Sequence, residues 1–403
     1  MVAELEWMDE ERRQWEADGL IRRLEPRAAA ATPWLERGGR RLVSFASNDY
    51  LGLAHDERVV EAAVDAVRRY GWGAGAAPLV TGWTEEHEAL AGELARFEGV
   101  EAVAIFASGF AANLGAVAAL VSTGDLVVLD RLAHGSLVAG ARLSGAEVRV
   151  FGHNDVDRLD RILSRAARRV RRLLVVTESL FSMDGDQAPL AELVSVCGRH
   201  HAMLLVDEAH ATGVIGSEGR GLVSELGLGA GVTLRVGTLS KALGSIGGFV
   251  AGSRRVVERV WQCAGSFRYS TSLPTAAVAA ARASLAIVEA EPARRHRLHG
   301  LSERLAEGLR GLGWVDRRNG GTSPIVPVVI GGSREAVAVS ERLRAEGVFV
   351  PAIRPPTVAR GSARLRISIS ANHQPEQVDR LLSVLSATWR QIEEATRDGE
   401  PAD

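Results

Sequence analysis

The chain has 403 residues, 46% of them hydrophobic and 24% charged, which excludes a disordered polypeptide and leaves room for two or three folded domains. Its 48 basic and 50 acidic side chains are mixed along the length for a net charge of −2, so neither nucleic acid nor a membrane surface is indicated as a partner. Cys197 and Cys263 alone exclude a disulfide framework and a thiolate zinc site, no apolar run reaches the roughly 18 residues of a span, and the acidic N-terminus is unlike a signal peptide, so a cytoplasmic protein is expected.

In chain order, a helix is predicted over Glu4–Arg23, with Leu5, Met8, Trp15 and Leu20 as its apolar contacts, and an extended segment over Arg41–Phe45. The helical period of Val59–Tyr70 deprives the loose dinucleotide pattern Gly71-x-Gly73-x-x-Ala76 of the strand its fingerprint needs. From Ala102 to Gly252 short apolar runs alternate with helical periodicity, as strands joined by helical crossovers do in an α/β, mostly parallel sheet. Seven strands are predicted, at Ala102–Phe106, Leu126–Asp130, Val148–Phe151, Leu173–Glu178, Met203–Asp207, Leu234–Thr238 and Gly248–Ala251, most of them apolar on both faces. Helical stretches such as Asp155–Val170 and Gln187–His200 then cover both faces of the sheet.

After about Leu285 the elements become smaller: a helix at Pro292–Leu312, Pro324–Ile330 as a strand, a helix at Arg334–Glu346, a strand at Val348–Val350, an alternating Arg364–Ser370 and a closing helix at Gln374–Ile392. The predicted organisation is an N-terminal helix and extended segment (1–50), a large α/β domain (51–285) and a small C-terminal α+β domain (286–403), with the tail Asp398–Asp403 disordered.

Ligands of a parallel sheet bind beyond the carboxyl ends of its strands. There the chain places Ser108-Gly109-Phe110 before a helix, a geometry suited to phosphate, His134 after Leu126–Asp130, the hydroxyl- and carboxylate-rich loop Ser179–Asp186, and Asp207 followed by His210. An Asp at the end of a buried strand calls for a positive partner, whether an arginine, a metal or a protonated ring nitrogen. No further ligand is spaced to complete a metal site with Asp207 and His210, and none is expected.

One of the 48 basic residues is lysine, Lys241, and the other 47 are arginine. An ammonium can lose its proton and become a nucleophile or base, whereas a guanidinium stays charged. Lys241 follows Leu234–Thr238 on the same rim, and the set of phosphate cradle, buried Asp, histidine and Schiff-base lysine is what pyridoxal phosphate requires of a protein.

On these motifs the chain resembles the α-oxoamine synthase family of fold-type-I pyridoxal phosphate transferases. The resemblance spans SNDYLGL (47–53), SGFAANL (108–114), DRLAHGS (130–136), HND (153–155), TESLFSMDGDQAPL (177–190), DEAHATGVIG (207–216), TLSKALG (238–244), YSTSLP (269–274) and AIRPPTV (352–358). The last two favour the family's branch that joins L-alanine to a pimeloyl thioester, carried on coenzyme A or acyl carrier protein, in biotin synthesis.

The resemblance implies that Lys241 attaches the cofactor and serves as acid and base, that His134 stacks on its ring, and that Asp207 pairs with the ring nitrogen. His210 and Ser182 would meet the ring oxygen, and Ser108, Gly109, Phe110 and Thr238 the phosphate. Ser270 or Thr271 would come from the other subunit of a homodimer with shared active sites. Arg354 would bind a substrate carboxylate, with Arg22 and Asn48 on the substrate side.

The segment GWGAGAAPLVTG (71–82) departs from the family through Pro78 and Leu79, and Ser179 and Ala211 stand where glycine is common. The alternative is therefore a relative that uses glycine and acetyl-CoA or a longer acyl chain. A DNA-binding regulator built on the same domain would need an appended module, for which the first 50 residues are too short and too acidic.

Overall fold

Apolar runs of five or six residues, too short for helices and rich in Val and Leu, form the strands of the central sheet, and the amphipathic stretches between them form its covering helices. The computed structural model describes residues 5–167, 169–314 and 323–397; the tail expected from Asp398 lies outside them. The elements are α1 (Glu6–Ala17), β1 (Trp34–Arg37), β2 (Arg40–Ser44), α2 (Glu57–Tyr70), α3 (Glu85–Glu98), β3 (Ala102–Phe106), α4 (Gly109–Leu120), β4 (Leu126–Asp130), α5 (Gly135–Leu143), β5 (Glu147–Phe151), α6 (Val156–Ala166), β6 (Leu173–Glu178), α7 (Leu190–Arg199) and β7 (Met203–Asp207). They continue as α8 (Leu222–Glu225), β8 (Leu234–Thr238), β9 (Gly248–Gly252), α9 (Arg254–Cys263), α10 (Gly265–Arg268), α11 (Thr275–Ala290), α12 (Pro292–Gly311), β10 (Ile325–Gly331), α13 (Ser333–Ala345), β11 (Val348–Phe349), β12 (Ala352–Ile353), β13 (Ala363–Ser368) and α14 (Pro375–Arg397).

The chain divides into two units, one of residues 49–182 and 186–296, the other of residues 1–48, 183–185 and 297–403. The larger contains the seven-stranded sheet in the order β3-β9-β8-β7-β6-β4-β5. Its strands β8, β7, β6, β4 and β5 are mutually parallel, and β9 runs antiparallel between β3 and β8. Alanines, valines and leucines of β3, β4 and β6 to β9 pack against α4, α5 and α9 in one continuous core. The unit reaches past residue 285 because Arg294 binds Asp56 and Glu291, and Arg295 donates to the carbonyls of Val288 and Ser217.

Strand β5 differs from the sequence expectation. It closes the sheet on one side, and its Val148 and Val150 are 37% and 54% exposed rather than buried on both faces.

The smaller unit has two three-stranded sheets, β1-β2-β11 and β10-β13-β12. The β1–β2 hairpin was not read from the sequence; its turn uses Gly38 and Gly39 at φ 56° and 71°. Helix α1 is shorter than expected, ending before Gly19 at φ 66°, and buries none of its residues; Leu5, Met8 and Trp15 are about half exposed. Strand β13 is buried throughout, its Arg364 paired with Asp184 and its Arg366 with Asn48 and Ser368. No helix among the described residues is long and apolar enough to cross a membrane.

The HND stretch ties three strand ends of the larger unit together. His153, after β5, donates from Nδ1 to Asp130 at the end of β4 (3.0 Å) and from Nε2 to Asp186 in the loop after β6 (2.7 Å). Asn154 adds N–H bonds to the same two carboxylates, and Phe181 packs edge-on against the imidazole. Burial alone would lower the pKa of His153, but the two carboxylates outweigh it and raise the value to about 9. A raised histidine contributes its stability in full below its unfolded value near 6.5 and loses it as pH rises through 9. His153→Ala is expected to cost about 3 kcal/mol at pH 6. Urea denaturation between pH 6 and pH 10 should show the gap from wild type shrinking through pH 9.

Candidate active site

Each strand end supplies one part of the site. After β3 the chain turns at Ser108, whose extended backbone and Oγ, accepting from Ala111 N–H at 3.1 Å, cap α4. This leaves the first-turn N–H groups, Gly109 and Phe110 among them, at the positive end of a twelve-residue helix. The turn is pressed against the ends of β8 and β9. A Cβ on Gly109 would lie 3.2 Å from Thr238 Oγ1, and one on Gly248 would lie 2.5 Å from Gly109 Cα. Gly248 has no room for a side chain there and Gly109 little, and the close approach brings Thr238 to the helix start. Thr238 Oγ1 donates to Gly247 O at 2.9 Å and lies 2.7 Å from Ser240 Oγ.

The floor of the site is a buried polar network. Asp207, at the end of β7 and 4% exposed, accepts from Ala209 N–H at 2.8 Å and from Asn113 Nδ2 at 2.6 Å. Asn113 Nδ2 also donates to Ser136 Oγ at 3.0 Å, so the Ser136 hydroxyl is free to donate to His134 Nδ1 at 2.6 Å. Ser136 N–H points at the same nitrogen, 3.3 Å away, which assigns the His134 proton to Nε2. Burial lowers the pKa of His134 and Lys241 adds to this, while Asp207 opposes it; the ring is neutral and flat-faced at pH 7.

Glu178 lies opposite Asp207 in the β6–β7 register. It is fully buried, and burial followed by the neighbouring Asp207 carboxylate pushes its pKa well up, with Lys241 opposing. Its Oε2 accepts from Ser182 N–H at 3.2 Å, which fixes the start of the loop after β6. Above this floor Lys241 Nζ lies 2.8 Å from His210 Nε2, and His210 Nδ1 lies 2.7 Å from the hydroxyl of fully buried Tyr50.

The larger unit thus brings together Ser108, Gly109, Phe110, His134, Ser182, Asp207, His210, Thr238 and Lys241. Ser270 and Thr271 lie in the turn after α10, where the Ser270 hydroxyl donates to Thr271 O. Arg354, Arg22 and Asn48 belong to the smaller unit. There Arg22 donates to the carbonyls of Arg354 and Pro355, and Arg354 Nη1 to Gly19 O, beside a cavity of about 1480 Å³. Burial and then Arg22 lower the pKa of Arg354, whose Nε is buried without a partner. Asn48 is instead with Arg366, 3.1 Å away.

Sequence reasoning missed Tyr50, Asn113, Ser136 and Glu178. Glu178 carried the same signal as Asp207, an acid closing a buried apolar strand, and Asn113 is the one polar side chain within the helix GFAANLGAVAAL.

These residues fit the pyridoxal phosphate that the motifs imply. The helix start offers N–H donors to a phosphate, Asp207 can hold a ring N–H, and two buried oxygens, Asn113 Oδ1 and Glu178 Oε1, have no hydrogen-bond partner among the described residues. Among the described residues no cluster of His, Cys, Asp and Glu is placed to hold a metal ion.

The sequence profile of the class I and II aminotransferases matches residues 40–385. Over 383 residues, 95% of each chain, the protein is 49% identical to an 8-amino-7-oxononanoate synthase of Anaeromyxobacter dehalogenans. In three dimensions it is similar to a serine palmitoyltransferase from S. paucimobilis with PLP and myriocin bound (TM-score 0.91, 30% identity, 98% of this chain and 99% of that one). It is also similar to an 8-amino-7-oxononanoate synthase from Francisella tularensis (TM-score 0.74, 26% identity, 87% of this chain and 99% of that one). On the profile match, the near-full-length identity and the shared fold, the chain belongs to the class I and II aminotransferase family of fold-type-I pyridoxal phosphate enzymes.

Proposed function

We propose that this chain condenses L-alanine with a pimeloyl thioester, with loss of carbon dioxide and release of the thiol, to give 8-amino-7-oxononanoate. The observation that carries this reading is the 49% identity with an oxononanoate synthase across 95% of both chains, with Lys241 on the rim above Asp207. When bound, pyridoxal phosphate supplies an electron sink for the bond broken at the amino acid α-carbon.

The chain's own groups do the rest. The N–H groups at the start of α4 hold the phosphate, with the Thr238 hydroxyl turning from Gly247 O to join them. Asp207, kept in place by Asn113 and Ala209 N–H, holds a proton on the ring nitrogen, and neutral His134 covers a ring face. His210 and Ser182 meet the ring oxygen. Lys241 attaches the cofactor, then takes the α-proton at Nζ and returns one to the product carbon. Arg354, with Arg22 and Asn48 on the substrate side, offers a fork to a substrate carboxylate.

The working unit in this reading is a homodimer with Ser270 or Thr271 reaching the partner's phosphate. Exposed Trp72 (74%), Val80 (73%) and Tyr269 (79%) support it, and Ser272 N–H bonded to Ala76 O sets the 71–82 segment beside the Ser270–Thr271 turn. That segment ends in a π-helical turn, Pro78–Gly82, whose Leu79 is also exposed. Because it departs from the family there, the donor panel must include acetyl and long-chain thioesters, and both coenzyme A and acyl carrier protein as carriers.

Thiol release by the cofactor-loaded protein is expected to be fastest with L-alanine and a pimeloyl thioester; a preference for glycine or serine would assign it to another branch. Lys241→Arg keeps the charge and should lower turnover by at least a thousandfold, while phosphate-dependent cofactor binding persists. Mixing inactive Lys241→Arg protein with an inactive Ser270→Ala/Thr271→Ala double variant should restore part of the activity, and none if each site is built from one chain.

A further inference from the structure

We propose that Tyr50 is the positioning residue of the active-site amine: its hydroxyl fixes the His210 imidazole that faces Lys241, and so sets how readily Lys241 gives up its proton. The geometry is a chain of two short contacts, Tyr50 Oη to His210 Nδ1 at 2.7 Å and His210 Nε2 to Lys241 Nζ at 2.8 Å. Tyr50 is fully buried and His210 5% exposed, so water competes weakly for the phenol–imidazole contact, while Lys241 is partly exposed. The rings are centred 6.0 Å apart at 51°, a tilt that sets hydroxyl against ring nitrogen rather than stacking the faces.

A phenol suits this task because it can donate or accept without changing charge. When Lys241 is an ammonium, His210 Nε2 must accept, the ring proton sits on Nδ1, and the Tyr50 oxygen receives it. When Lys241 is a neutral amine, Nε2 can carry the proton and donate, and Nδ1 accepts from the Tyr50 O–H. Both states are paired. Glu178 from the end of β6 and His134 from the start of α5 also act on the amine, and Asp207 from the end of β7 neighbours both of them. Their charges do not depend on the phenol, so the influence of Tyr50 passes through the imidazole.

The inference rests on Lys241 being the working amine, but its test does not need the substrates. Because the chain has one lysine, full-length, cofactor-free protein grown with ε-13C lysine gives one lysine signal, whose shift with pH reads Lys241 alone. In Tyr50→Phe the ammonium state leaves an N–H facing an aromatic ring, a worse loss than a bare lone pair, so the titration midpoint should fall by at least half a pH unit. In a His210→Asn background the same Tyr50→Phe change should move the midpoint by less than 0.2 units. 3-Fluorotyrosine at the chain's three tyrosines keeps the packing, weakens the hydroxyl as acceptor and should lower the midpoint in the same direction, whether or not Tyr50→Phe folds. An unchanged midpoint in folded Tyr50→Phe or in the fluorinated protein overturns the proposal, and so does a shift that persists without His210. An intact lysine titration in a protein with no thioester activity would overturn the substrate reading and leave this one standing.

Discussion

Asp207 is a carboxylate at the end of a strand with no open water around it, and such a group persists only if donors surround it. Two N–H groups, from Ala209 and Asn113, meet that need. Each then imposes conditions of its own. Asn113 reaches Asp207 from α4, whose start also carries N–H groups outside the helix ladder, so one helix fixes the spacing between those donors and the carboxylate. The same amide orients Ser136, and through it His134. Glu178, one strand away, is pushed toward its neutral form by burial first and by the neighbouring Asp207 carboxyl second.

The parts of this arrangement legible in the sequence were those that follow a strand directly. Lys241, Asp207, His134 and Ser108 stand just beyond apolar runs, and the rule that ligands gather at the carboxyl ends of parallel strands was enough to group them. Tyr50 and Asn113 were not legible in the same way. One lies in a turn before the first helix of the larger unit, the other within a helix, and only folding brings them within bonding distance of His210 and Asp207. The exposure of β5 was missed because its alternation of Val with Glu and Arg says that charges are tolerated, not that one side of the sheet ends there. The antiparallel run of β9 has a similar cause: its apolar, glycine-flanked sequence fits either direction, and strand polarity is set by the connection from β8.

The replacement of lysine by arginine elsewhere has a structural side. Arginine forks make many of the polar ties, such as Arg282 to Glu86 and Glu93, Arg235 to Glu98, and Arg294 to Asp56 and Glu291. A planar fork can satisfy two acceptors in fixed directions, which a mobile ammonium does less well. Reactivity toward carbonyl groups is consequently concentrated at one side-chain amine, beside groups that control it.

An edge strand has one row of backbone N–H and C=O groups without a ladder partner, and β5 is such a strand. Its exposed valines could by themselves invite another strand to continue the sheet. The residues that alternate with them, Glu147 and Arg149, bind each other along the strand at 2.7 Å and put two opposite charges on this outermost strand. A second chain adding there would have to strip both of water. The consequence is a bias against growth of the sheet at β5, set by side chains rather than by the backbone.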